Sequence, residues 1–127
     1  MEKLVCVKGS IITYPTGKIF TVSEKKDYGY AIMHYLVEKD TWLSDTFYKS
    51  DFRPVKDITA SITIMWGDGK KDVRYFVDKE SADIFKEHIE KAIQKCKRIS
   101  PKYQLPEKTI IGYTAEYNIQ YTEQDEK

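Results

Sequence analysis

The chain has 127 residues, of which 41% are hydrophobic and 32% are charged, and its formal net charge is +1. This length suits one domain, and the composition excludes both a disordered chain and a chain with an apolar run of the ~20 residues that span a bilayer. A net charge so close to zero argues against binding of long nucleic acid, because phosphate contacts supply much of that affinity.

The first half of the chain has the pattern of short strands separated by turns. Apolar and β-branched residues predict the strands, and clusters of proline, glycine and charged residues predict the breaks between them. The expected strands cover residues 3–7, 10–14, 18–22, 28–37 and 42–48, and residues 51–54 close the last one. Strands this short predict a small antiparallel barrel or a strongly curved sheet.

The second half begins with a predicted β-hairpin. Apolar and small polar residues alternate from Ile58 to Trp66, which is the period of a half-buried strand. The tetrapeptide Gly67-Asp68-Gly69-Lys70 follows, and an Asp-Gly pair tolerates the positive φ that tight hairpin turns need. Residues 72–77 are the expected return strand.

An amphipathic helix is expected after this hairpin. Asp78 or Ser81 can cap its first turn, and the helical pattern continues to about Arg98 before Pro101. Apolar residues at helical spacing define the stripe that we expect to be buried: Ala82, Phe85, Ile89, Ala92, Ile93 and Cys96.

The C-terminal segment, residues 111–121, alternates strictly between apolar or aromatic residues at odd positions and small or polar residues at even ones. This pattern predicts a strand with one buried face. Pro101 and Pro106 make the preceding connector stiff and extended. We therefore expect the strand to pair with a neighbouring subunit, so that residues 108–121 support a homodimer or a higher symmetric oligomer.

Together these elements predict a single α+β domain over residues 1–127. Its parts are a barrel-like half (1–57), a hairpin with a helix (58–99) and a C-terminal strand (108–121). The expected architecture is a curved antiparallel sheet or small barrel with one long amphipathic helix.

Two segments resemble known folds. Residues 17–55, with Gly17-Lys18-Ile19-Phe20-Thr21-Val22, Trp42 and Phe52-Arg53-Pro54-Val55, resemble the small SH3-like barrels of bacterial and bacteriophage proteins. Residues 58–95 resemble the closing hairpin and helix of pleckstrin-homology-like folds, from which residues 100–127 depart. Both resemblances imply a scaffold that binds without catalysing a reaction, although fold alone does not fix function.

The residue types give little support for catalysis or metal binding. His34 lies in the predicted strand 28–37, and we expect a half-buried side chain that is hydrogen-bonded to its neighbours. The alternative is that His34 acts as a base or contacts a ligand inside a tyrosine-lined pocket. Cys6 and Cys96 belong to no metal-ligand motif, and we expect two reduced thiols in a cytoplasmic protein. No nucleophile motif or phosphate-binding loop is present, so we expect a non-enzyme without cofactor or metal.

The candidate binding residues combine basic and aromatic side chains at three places in the sequence: Arg53 near Trp42, Arg74 beside Tyr75, and Lys95 and Arg98 in a basic cluster that adjoins Tyr103. Positive charge suits a phosphate and an aromatic ring suits a base, so this pattern predicts capture of a small anionic ligand such as a signalling nucleotide. An accessory protein of a bacterium or phage could sequester a nucleotide in this way. The alternative is an inhibitor or adaptor that binds a partner protein through its tyrosine-rich strands, with hot spots around Trp42. The predicted ligand-binding residues are Trp42, Arg53, Arg74, Lys95, Arg98 and Tyr103.

Overall fold

The computed structural model describes residues 1–9, 14–95, 99–106 and 108–122. These residues form eight strands and two α-helices: β1 (Glu2–Cys6), β2 (Ile19–Asp27), β3 (Ile32–Leu36), β4 (Thr41–Ser44), α1 (Asp45–Asp51), β5 (Phe52–Pro54), β6 (Ala60–Trp66), β7 (Lys71–Phe76), α2 (Lys79–Lys95) and β8 (Ile110–Tyr117). The predicted α+β fold with one long helix is confirmed. Within the described ranges the strands form two antiparallel sheets that do not close into a barrel, and neither helix is long and apolar enough to cross a membrane.

Sheet 1 has five strands in the order β4-β3-β2-β1-β5. Alternate residues of these strands point to one face of the sheet. Because the sheet curves, the apolar side chains on this face pack against one another in one cluster. The buried members of this cluster are Leu4, Cys6, Phe20, Val22, Leu36, Leu43 and Phe52. Cys6 is a free thiol, as predicted, and burial raises its pKa to about 12. Cys96 and most of the predicted strand 10–14 lie outside the described residues.

Three boundaries in the first half differ from the prediction. Strand β2 continues five residues past the predicted end at Val22, because β3 supplies backbone partners for its exposed, polar second half. The predicted strand 28–37 begins only at Ile32, since Gly29 has a φ of 85° and the Tyr28 N–H donates to the Ala31 carbonyl. The predicted closing segment 51–54 contains a further strand, β5, that pairs with β1.

The predicted strand 42–48 is wrong over its second half. Strand β4 ends at Ser44, and residues from Asp45 onward form helix α1. An ion pair of 2.9 Å between Lys49 and Asp45 links successive turns of this helix, and the ring of Tyr48 packs against sheet 1. The apolar spacing that suggested a strand is also compatible with two turns of helix.

Sheet 2 has three strands in the order β7-β6-β8. The predicted hairpin is confirmed: β6 and β7 pair around a turn in which Gly69 has a φ of 86°. Helix α2 covers one face of this sheet, and the buried residues between them are Ala60, Ile62, Ile64, Trp66, Phe76, Ala82, Phe85, Ile89 and Tyr103. Ile93 was predicted to be buried, but it is 37% exposed.

The C-terminal strand folds back onto its own chain. Strand β8 pairs antiparallel with β6, so the predicted pairing of this segment with a neighbouring subunit in place of its own sheet is wrong. A stiff connector therefore does not carry the strand away from the helix. The pairing register shifts between Met65 and Trp66, which places Ile111 in a bulge and leaves it 64% exposed, against the predicted alternation. Whether the chain forms an oligomer stays a prediction.

A third apolar cluster joins the two sheets. Val5 of β1, Ile58 and Tyr121 are buried there, and side chains such as Ile19 and Tyr75 pack around them. Backbone hydrogen bonds reinforce this junction, since the Tyr75 N–H donates to the Gly17 carbonyl and the Thr16 N–H donates to the Lys102 carbonyl. One half of the outer face of sheet 1 is thus covered by sheet 2, and the half that carries β3 and β4 is left open.

Candidate functional site

The six predicted ligand-binding residues do not come together. Trp42 on β4 and Arg53 on β5 occupy opposite edges of sheet 1, with three strands between them. Arg74 and Tyr103 meet at the junction of the two sheets. Lys95 is the last residue of α2, where its side chain is not described, and Arg98 lies outside the described residues.

Arg74 is a buried structural residue with 1% of its surface exposed. Its Nη1 donates to the Thr16 carbonyl at 2.9 Å and to the Tyr103 carbonyl at 2.5 Å, and its Nη2 lies 3.3 Å from an Asp72 carboxylate oxygen. Lys18 pairs with the other oxygen of Asp72 at 2.6 Å. The guanidinium therefore connects β7 to the loops that precede β2 and β8, and it has no exposed surface for a ligand.

Tyr103 and Arg53 are also engaged in contacts within the chain. Tyr103 is 2% exposed, and its ring packs against Phe85 and His88 at centroid distances of 4.6 and 5.7 Å. A ring buried in this way cannot stack on a nucleotide base from solvent. Arg53 is exposed, but its guanidinium donates two hydrogen bonds to one oxygen of Asp57, at 3.1 and 2.7 Å.

Trp42 belongs to an aromatic cluster on the open half of sheet 1. The β3–β4 register places Tyr35 opposite Trp42, and their ring centroids are 5.2 Å apart. The Lys26 ammonium lies 4.8 Å from the centroid of the Trp42 ring, which is a cation–π contact. The Tyr35 hydroxyl donates to Asp40, and this hydrogen bond raises the pKa of Tyr35. The pair is thus held in place by neighbours while both residues stay partly exposed.

Two further tyrosines lie at the end of the same strands. The β2–β3 connection carries Tyr28 and Tyr30, whose rings stack with centroids 6.2 Å apart and are 52% and 91% exposed. The β2–β3 register pairs Lys26 with Met33 close to this turn. The two tyrosines therefore lie at the end of the sheet where β2 and β3 are connected. We use the name aromatic surface for Tyr28, Tyr30, Met33, Tyr35 and Trp42. The sequence pointed to Trp42 and its neighbours, whereas the partners Tyr35 and Lys26 depend on strand register.

The charges around the aromatic surface are mixed. Residues 24–42 contain three lysines and four carboxylates, which gives this segment a net charge of −1 with histidine neutral. A phosphate-binding surface needs a basic excess, so this part of the molecule does not match nucleic acid. Alternating charges around aromatic residues are instead typical of the rim of a protein interface.

His34 lies on the opposite, buried face of the same sheet. Its ring stacks on Tyr48 with a centroid distance of 3.8 Å and an interplanar angle of 11°, and its Nε2 is 2.9 Å from an Asp45 carboxylate oxygen. This hydrogen bond, together with Lys49, lowers the pKa of Asp45. The predicted hydrogen bonding of His34 is confirmed, although the side chain is buried and not half-buried. Burial and a hydrogen bond to Glu2 raise the pKa of Tyr48 to about 12.

Two open depressions share Ile32 and Asp45, and His34 lines one of them. One, of about 390 Å³, lies beside the Tyr30 turn; the other, of about 450 Å³, lies beside Tyr48 and Lys49. Pockets for small ligands are usually enclosed and mainly apolar. Both depressions are open. Charges of both signs line the second, whereas the only charged residues that line the first are Asp27 and Asp45. Among the described residues, no cluster of three or more His, Cys, Asp or Glu side chains could hold a metal.

Comparisons of the chain with protein-family models, with curated proteins and with solved structures found no match. The resemblances to SH3-like barrels and to pleckstrin-homology-like folds therefore stay predictions.

Proposed function

We propose that this protein binds a partner protein through the aromatic surface and acts as an inhibitor or adaptor without catalysing a reaction. The observation that carries the proposal is the Tyr35–Trp42 pair on an open face of sheet 1, in a sheet whose β2–β3 turn also carries the exposed Tyr28 and Tyr30. Tyrosine and tryptophan supply large contact areas at low cost in side-chain entropy, and they are enriched among residues that dominate binding energy.

The contacts of these side chains support a preformed binding surface. Lys26 and Asp40 fix the orientations of Trp42 and Tyr35, so little rotamer freedom remains to be lost when a partner binds. The strands beneath them pair over β2, β3 and β4, which gives the surface a rigid base. Aromatic side chains that are already ordered on a rigid sheet lose little conformational entropy when a partner binds, which makes the free energy of binding more favourable.

The sequence-based alternative, capture of a small anionic ligand such as a nucleotide, has less support from the geometry. It relied on six residues acting together, and the four whose side chains are described lie at three separate places. Two of those four, Arg74 and Tyr103, are buried. The alternative stays open to a direct test by native mass spectrometry of the protein after gentle purification from its own cells.

Photo-crosslinking in those cells tests the proposal. A benzoylphenylalanine in place of Met33 should form an adduct with one discrete protein of different mass, and the additional substitution Trp42→Ala should abolish the adduct. The matched control carries the crosslinker at Ile84, an apolar position on α2 that is 45% exposed and lies on the other sheet. A bound nucleotide without any protein adduct, or equal adducts at Met33 and Ile84, would contradict the proposal.

A further inference from the structure

Strand β8 is an edge strand of sheet 2 in the part of the chain that the structure describes. The sheet order β7-β6-β8 leaves one side of β8 without a paired strand. The backbone hydrogen bonds at the two ends of this strand also point inward: the Thr109 carbonyl accepts from Gly67, and the Ile119 N–H donates to Thr59. The outward backbone groups of Ile110–Tyr117 are therefore available to another strand.

The other sheet edges are protected. Strand β4 has four residues, and β5 has three and includes Pro54. Strand β7 carries charged side chains, and the Gly17 carbonyl already occupies its Tyr75 N–H. Short length, proline, charge and a covering loop are the usual means by which proteins prevent pairing at a sheet edge. Strand β8 has eight residues, no proline and a single charge, Glu116.

We propose that β8 pairs antiparallel with β8 of a second copy of this chain, across a two-fold axis that passes through Thr114. Side chains alternate between the faces of a strand, so two copies keep the same face aligned only when odd positions face odd and even face even. Among such registers, the one centred on Thr114 pairs residues 112–116 and leaves the bulge at Ile111 outside the paired segment. It joins two three-stranded sheets into one of six strands, with both α2 helices on the same face.

The strand is complementary to itself in this register. Glu116 faces Gly112 of the other copy, so the two Glu116 carboxylates, the only charges of the paired strands, do not repel each other across the axis. Tyr113 faces Ala115, which sets a large ring against a small side chain on the face that α2 covers. This self-complementarity commits the edge to a second copy. The proposal is independent of the aromatic surface, which lies on sheet 1.

Charge substitutions at the axis test this pairing. Thr114 is exposed and faces Thr114 of the second copy in the proposed dimer. Thr114→Lys and Thr114→Glu should therefore each raise the dimer dissociation constant by at least about tenfold, because like charges then face each other. An equal mixture of the two variants should form a heterodimer, because lysine then faces glutamate. Thr46→Lys on α1 is the control and should leave the dimer intact.

Sedimentation equilibrium and far-UV circular dichroism provide the readouts. The unmodified chain should show twice the mass of one chain at micromolar concentration, and each variant should keep the same circular dichroism spectrum. A monomeric unmodified chain, or a dimer unaffected by either Thr114 substitution, would overturn the proposal. A mixture of the two variants that stays monomeric would also overturn it, because it would exclude Thr114 from the axis.

Discussion

A buried arginine side chain needs a partner for its charge and for most of its donors. Arg74 shows how this chain meets that need, although its Nε has no hydrogen-bond partner among the described residues. Asp72 balances its charge, while the carbonyls of Thr16 and Tyr103 accept from one of its nitrogens. Burial lowers the pKa of Arg74 and the Asp72 carboxylate raises it, with burial the larger effect. The side chain therefore joins three segments that are distant in the sequence.

Replacement of Arg74 by methionine should lower the free energy of unfolding by about 3 kcal/mol, because it leaves two carbonyls and Asp72 with one partner fewer in a buried place. Arg74→Lys should not restore the loss, since one ammonium cannot reach the same acceptors. Arg53→Met is the control and should cost less than about 1 kcal/mol, because the Arg53–Asp57 ion pair is exposed. Equal losses for Arg74→Met and Arg53→Met in urea unfolding would contradict the structural role of Arg74.

Asp45 makes stability dependent on pH. The His34 hydrogen bond and Lys49 hold its pKa below the ordinary value of 3.8, so the folded state binds a proton less readily than the unfolded chain. Its contribution to stability is thus complete above pH 3.8 and is lost as the pH falls through the lower, folded pKa. Lys108 lowers the pKa of Asp68, and Lys91 lowers the pKa of Glu87. These two carboxylates therefore also reduce the stability of the folded state as the pH falls.

Asp45→Asn should therefore reduce the slope of the unfolding free energy against pH below 3.8, and Asp68 and Glu87 should maintain the remaining slope. Urea unfolding at a series of acidic pH values measures this slope for the variant and for the unmodified chain. Parallel curves for the two proteins would mean that the His34–Asp45 contact contributes nothing to the acid sensitivity.

Among the helices, α2 has a start that depends on one side chain. Asp78 immediately precedes the helix, and its Oδ1 accepts from the Ser81 N–H at 2.7 Å. The sequence offered Asp78 and Ser81 as alternative caps, and the structure selects Asp78. Ser81 is instead the third residue of the helix.

Asp78→Ala should lower the free energy of unfolding by about 1 kcal/mol, the usual cost of removing a capping side chain. Ser81→Ala should change it by no more than about 0.5 kcal/mol, because alanine is a good helix former at an ordinary helical position. Thermal unfolding followed by circular dichroism distinguishes the two variants. A larger loss for Ser81→Ala than for Asp78→Ala would show that the cap is assigned to the wrong residue.

The elements that could be predicted from the sequence are those fixed by neighbouring residues. The β6–β7 hairpin has a turn that demands positive φ, and α2 has a periodic apolar stripe. The exposed half of β2 and the short β5 lack such a local pattern, because partner strands stabilise them. Likewise, the exposure of Ile111 arises from a register shift against β6 and not from its own sequence.

The candidate site was predictable only in part for the same reason. Aromatic density drew attention to Trp42, and the β3–β4 pairing then supplied Tyr35 and positioned Lys26 over the indole. The arginine–aromatic pairs that looked equivalent in the sequence fell into different environments: Arg74 is buried between the sheets, and Arg53 is exposed at an edge. The proximity of an arginine to an aromatic residue in the sequence does not indicate whether either side chain is buried.

At the scale of the whole molecule, each sheet leaves one region free for contact. The junction cluster around Val5, Ile58 and Tyr121 covers half of the outer face of sheet 1 and leaves the aromatic surface open. Helix α2 covers one face of sheet 2, and its β8 edge stays unpaired. The proposed partner protein on sheet 1 and the proposed second copy on sheet 2 would therefore contact different residues.

The proposed function depends most directly on Trp42, and calorimetric titration of the crosslinked partner, purified as a separate protein, tests it. Trp42→Ala should weaken binding by at least about 2 kcal/mol, or roughly 30-fold in the dissociation constant, as expected when an anchoring aromatic residue is removed. Ile84→Ala should bind with unchanged affinity, and both variants should keep the native circular dichroism spectrum. An unchanged dissociation constant for a folded Trp42→Ala variant would contradict partner binding through the aromatic surface.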